Sequence, residues 1–124
     1  MKTLLTIITA VTVSLFSITA AAHGDNKPKH GGLVKEVNEI QYELVAKPDQ
    51  ITIYVFDHGE KITLKDASGK LTLLVGKIKT EVPLIAGGDN MLVAKGSFNV
   101  SKGTKALAVI KIAGKSASVN WILK

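Results

Sequence analysis

Two of the three histidines in this chain open short glycine-bearing turns, His30-Gly31-Gly32 and Asp57-His58-Gly59, and the third, His23, follows a run of three alanines. Imidazole nitrogen suits copper, zinc and nickel, and a carboxylate such as that of Asp57 can complete such a site. Glycine beside a ligand lets the backbone come close to an ion. None of the three histidines lies inside an apolar strand pattern, so metal ligation is the chemistry these residues suggest. The candidate metal ligands are His30 and His58 first, Asp57 and His23 second, with Asp25 near His23. For His30 and His58 to share one ion, their two turns must meet at one end of the fold. The plainer readings are a strand start at His30-Gly31-Gly32 and a hairpin turn at Asp57-His58-Gly59, where Asp and Gly are standard turn residues.

The position of His23 bears on the compartment. Met1-Lys2-Thr3 carries one Lys, and Leu4 to Ala22 carries no charge. Small residues stand at Ala20 and Ala22, as a cut after Ala22 requires, which is the pattern of a secretory signal. The expected mature chain begins at His23, which then offers both an imidazole and a free α-amine to a metal. No cysteine lies near the cut, so a lipoprotein anchor is not expected. Residues 23–31 are polar and read as a flexible arm. Residues 32–124 read as the folded domain, and the mature chain of roughly 100 residues has the usual size of one domain. Nothing after Ala22 is long and apolar enough to span a bilayer.

Composition removes several functions. The chain has no cysteine, so thiolate metal sites, thiol redox chemistry and cysteine nucleophiles are excluded, and the core must hold without disulfides. The net charge is +6 and all 16 basic residues are Lys. Nucleic-acid readers lean on Arg for bidentate contacts and on aromatics for stacking. This chain has no Arg, few aromatics and lysines spread along its length, so a nucleic-acid partner is not expected. The lysines read as the wet face of a sheet and as guards of its edge strands. No GxSxG elbow, phosphate loop, HExxH helix or dinucleotide fingerprint occurs, so an enzyme is not expected either.

The rest of the chain reads as all-β. Short runs rich in β-branched residues are punctuated by Gly, Pro, Asn and Asp. Strands are expected over 33–37, 41–46, 50–56, 61–64, 70–75, 78–84, 91–97, 106–112 and 116–123. In the last of these Ala117, Val119, Trp121 and Leu123 alternate with Ser118 and Asn120, which gives one buried and one wet face. Trp121 and Met91 read as core, and Glu43, alternating with Tyr42, reads as facing solvent. Asp57 and His58, adjacent in an extended segment, are expected to point to opposite faces. The expected fold is an antiparallel β-sandwich, Ig-like, of seven to nine short strands after a cleaved signal peptide. A small closed barrel is the alternative.

The strings His30-Gly31-Gly32-Leu33-Val34, Tyr42-Glu43-Leu44-Val45 and Ile51 to Gly59 resemble a group of small periplasmic proteins of Gram-negative bacteria. They are also similar to the small β-domain near the N-terminus of adaptor proteins of heavy-metal efflux pumps, of the cobalt-zinc-cadmium and copper-silver type. Glu81-Val82-Pro83-Leu84, Gly88-Asp89-Asn90 and Gly103-Thr104-Lys105 fit the same pattern. The resemblance runs from about His30 to Leu123. It implies a periplasmic β-domain that handles heavy metals, with His30 as the first functional residue and Asp57-His58 as the second. The coiled-coil hairpin and lipoyl-like domain of the adaptors are missing. What remains is a free-standing carrier or buffer of copper or zinc, with an efflux pump or its adaptor as partner. The alternative is a metal-free interaction module that docks an envelope partner, for instance by strand addition.

Overall fold

The computed structural model describes residues 27–124. The segment 1–22 read as a signal, and the candidate ligands His23 and Asp25, lie outside the described residues. The elements are β1 (Leu33–Val37), β2 (Ile40–Ala46), β3 (Gln50–Asp57), β4 (Glu60–Lys61), β5 (Ser68–Val75), β6 (Ile78–Ala86), β7 (Met91–Lys95), β8 (Lys105–Ile112) and β9 (Lys115–Ile122). The described residues contain no helix. All pairings are antiparallel, in the order β1-β2-β3-β7-β6-β5-β8-β9, with β4 paired to β3.

Four hairpins turn on two residues each, and their chemistry is local. Asn38-Glu39, His58-Gly59 and Ala113-Gly114 have positive φ at both positions. That is the mirror-image turn whose twist matches the flanking strands. Gly76 supplies the single positive φ, +60°, at the start of the Gly76-Lys77 turn. Asp57-His58-Gly59 is therefore a hairpin turn.

The sheet has one thin link. β6 and β7 share only the pairs Ile85–Val93 and Ala86–Leu92, against eight pairs between β5 and β6. The two ends of the path, β1 and β9, contact each other without pairing. The sheet thus curls into a nearly closed, barrel-like shape. Its halves are β1-β2-β3-β7 and β6-β5-β8-β9, which is why sandwich and small barrel both describe it.

Period-two alternation decides which side chains fill the interior. Ile51, Ile53 and Val55 of β3, Leu71 and Leu73 of β5, Ala106, Ala108 and Ile110 of β8, and Val119 and Trp121 of β9 are buried together. Fully burying a Leu or Ile side chain is worth roughly 1.5–3 kcal/mol, and this core replaces the disulfides the chain lacks. Leu64 was expected in a strand. It lies instead in the loop after β4, buried in the core, with its N–H donated to the Asp89 carbonyl. Ser68 and Gly69, just ahead of the expected strand 70–75, begin β5, because there they pair with both β6 and β8.

Candidate functional site

The outer face of β2 and β3 carries Gln41 opposite Phe56 and Glu43 opposite Tyr54. Residues 27–32 lie across this face. That cover overturns the expectation that Glu43 faces solvent: its side is the outer one, but it is 1% exposed. Its Oε1 accepts the Lys29 N–H at 3.0 Å, and its Oε2 accepts the N–H groups of His30 at 2.7 Å and Gly32 at 2.9 Å. Oε1 also lies 3.1 Å from His30 Nδ1.

The two glycines make this possible in different ways. Gly31 has φ +74°, a conformation in which successive N–H groups can converge on one anion. Gly32 passes so near β2 that a Cβ there would clash with the Leu44 carbonyl oxygen. The His30 ring stacks on Tyr54 with centroids 3.6 Å apart and planes 3° apart. Lys29 Nζ sits 4.8 Å from the centre of the Phe56 ring and donates to the Gly59 carbonyl at 3.2 Å. The described part of the expected flexible arm is pinned from Lys29 to Gly32.

Burial pushes the Glu43 carboxyl up, but the hydrogen bonds from Gly32, from the His30 ring and backbone, and from Lys29 outweigh it and hold the group below 4.5. An ionised carboxylate only accepts. Nδ1 of His30 must therefore carry the proton, and in the neutral ring Nε2 keeps its lone pair. The His30 side chain is 36% exposed.

The second histidine repeats the arrangement in the open. His58 has φ +52°, which turns its ring back toward its own neighbour. Its Nδ1 lies 2.5 Å from Asp57 Oδ1, with both side chains at least half exposed. Adjacency therefore did not separate the two, because His58 is in a turn and not in an extended strand. Asp57 engages the His58 ring. Lys29 bridges from the His30 segment to the His58 turn through Gly59. Among the described residues, no three His, Asp or Glu side chains gather as a group able to hold a metal ion.

Sequence reasoning passed over Glu43 and Tyr54 as site residues. The available signal was a single acidic side chain in the otherwise uncharged strand Ile40–Ala46. Met91, read as core, is half-buried opposite Tyr54 on the outer face, while Leu92 and Ala94 point inward. Trp121 is core, as expected. Comparison with known proteins finds no matching family model, no matching curated protein and no matching solved structure.

Proposed function

We infer that the chain binds a divalent transition metal, copper or zinc, through Nε2 of His30, as an envelope carrier or buffer that serves heavy-metal efflux. One observation carries the reading: a buried, ionised carboxylate holds Nδ1 of His30 and leaves the Nε2 lone pair on a side chain that is 36% exposed. Ligating histidines commonly carry this carboxylate on the far ring nitrogen, where it fixes the tautomer and raises the basicity of the ligating atom. The Asp57-His58 pair offers a second imidazole of the same kind. With one imidazole from the described residues, the site is open, and an open site suits an ion that must leave as well as arrive. The remaining positions fall to solvent, to His23 with its α-amine, or to the protein that takes the ion on.

The test is calorimetric titration of the processed chain with Cu²⁺ and with Zn²⁺, beside His30→Ala, His58→Ala and a form extended by one residue before His23. The parent is expected to bind one ion. His30→Ala is expected to lose at least about tenfold in affinity, roughly 1.4 kcal/mol. Loss in the extended form assigns His23 and its amine to the site. Equal affinity in His30→Ala removes His30 from the site, and no uptake by the parent overturns the reading.

A further inference from the structure

The lysines, spread evenly along the sequence, are uneven in space. Residues 68–90 and 96–124, which carry β5, β6, β8 and β9, hold eight Lys against Glu81 and Asp89, a net charge of +6. Residues 27–67 together with β7 hold seven Lys against seven acidic residues, with no net charge. The five exposed large apolar side chains, Ile78, Ile85, Leu107, Val109 and Ile122, all belong to the basic half as well.

Register shows how the two kinds of side chain are arranged on the outer face of β6-β5-β8-β9. One row across the four strands reads Lys79, Leu74, Lys105, Ile122. The next reads Glu81, Thr72, Leu107, Asn120, and the third Pro83, Lys70, Val109, Ser118. Cationic and aliphatic residues alternate along the first row, and Leu107 and Val109 stand between polar neighbours in the next two. Glu81 is the single acid in these rows, and Lys70 and Lys79 hold it at 2.8 and 3.2 Å, so the face keeps a positive excess.

We propose that this face docks on the surface of a bilayer that carries anionic lipids. The positive excess complements an anionic partner and repels a second copy of the same face. The mixing of residues selects the kind of partner. Protein interfaces gather apolar residues in a core and deplete Lys there, whereas here Lys105 stands between Leu74 and Ile122. A headgroup layer accommodates that mixture: the long Lys stems reach phosphates while the aliphatic side chains beside them enter the boundary with the acyl chains. Lys serves this role without Arg, because attraction to many headgroups needs charge and not a bidentate fork. The proposal is independent of the metal reading, since His30 lies on the other half of the fold.

The test is co-sedimentation of the processed chain with vesicles of phosphatidylcholine alone and of phosphatidylcholine with phosphatidylglycerol. Two charge-reversed variants run beside it: Lys105→Glu/Lys111→Glu on the proposed face, and Lys61→Glu/Lys65→Glu on the other half. Circular dichroism melting shows that each is folded. Binding is expected on the anionic vesicles only. It should fall at least about tenfold in Lys105→Glu/Lys111→Glu, and change little in Lys61→Glu/Lys65→Glu. It should also vanish near 1 M salt, where the screening length drops to about 3 Å. No binding to anionic vesicles, equal binding to both lipids, or equal loss in the two variants overturns the proposal.

Discussion

Glu43 fixes His30 twice: its Oε2 takes the backbone N–H at 2.7 Å, and its Oε1 stands 3.1 Å from the ring at Nδ1. The same carboxylate therefore sets both where the residue sits and which ring nitrogen is left over. Tyr54 supplies the third constraint, since its ring lies parallel under the imidazole. A histidine held at its main chain, its edge and its face has little freedom left to lose when it binds an ion.

Glu43→Gln tests what the charge contributes. The amide keeps an oxygen that can accept from the main chain, but it no longer fixes the proton on Nδ1. Loss of such a partner typically costs 10–100-fold in metal affinity. Metal affinity in Glu43→Gln is thus expected to fall about tenfold or more, with the fold retained. Competition against a chelator of known strength measures it, and parental affinity in the variant would show that the carboxylate only anchors the arm.

The depressed Glu43 pKa makes the anchor acid-sensitive. A carboxyl whose folded value lies below its unfolded value stabilises the folded form above the unfolded value and loses that contribution as pH falls through the folded one. The arm is therefore fully held above about pH 4.5 and released progressively below it. The amide protons of His30 and Gly32, both donated to Glu43 Oε2, should shift upfield together in that range. In Glu43→Gln the two resonances should show no such step. A step centred well above pH 4.5 contradicts the assignment.

Most of the fold was legible because alternation and turn residues are local signals. β1 has the bounds the sequence suggests, and most other strands differ by a residue or two. Leu64 was misplaced because its fate depends on the Asp89 loop, distant in sequence. The site was legible only in part. His30-Gly31-Gly32 stood out, but Glu43 looked like any outer-face acid, because alternation gives the side of a sheet and not what covers that side. The cover is a segment whose composition reads as unstructured. What holds it is the convergence of three N–H groups, and that cannot be seen until β2 and the arm are placed together. His58 shows the opposite error: an extended geometry was assumed across a residue that takes positive φ.

The two glycines of the anchor should fail differently. Gly32→Ala puts a methyl group against the Leu44 carbonyl oxygen, a backbone atom that cannot turn aside. Overpacking of this kind costs about 1–3 kcal/mol, and the strand start should shift with it. Gly31→Ala meets nothing within 4 Å and carries only the strain of a left-handed alanine, about 1–2 kcal/mol. Urea unfolding should rank Gly32→Ala as the more damaging change, with proteolysis after Lys29 accelerated in both. The reverse ranking would mean that the arm yields at Gly32 instead of resisting there.

Trp121 offers a test of the core that is separate from the site. Its side chain is 1% exposed, and among the described residues its Nε1 has no hydrogen-bond partner. A buried donor without an acceptor carries a desolvation cost of about 1–3 kcal/mol. Trp121→Phe removes that donor while keeping an aromatic ring, so relief of the penalty offsets part of the lost packing. Trp121→Ala removes the volume as well and should cost about 3–5 kcal/mol. Trp121→Phe is therefore expected to cost less than about 1.5 kcal/mol. Because Trp121 is the sole tryptophan, unfolding must be followed by circular dichroism. If the two variants were equally unstable, the indole N–H would have to find an acceptor in solution.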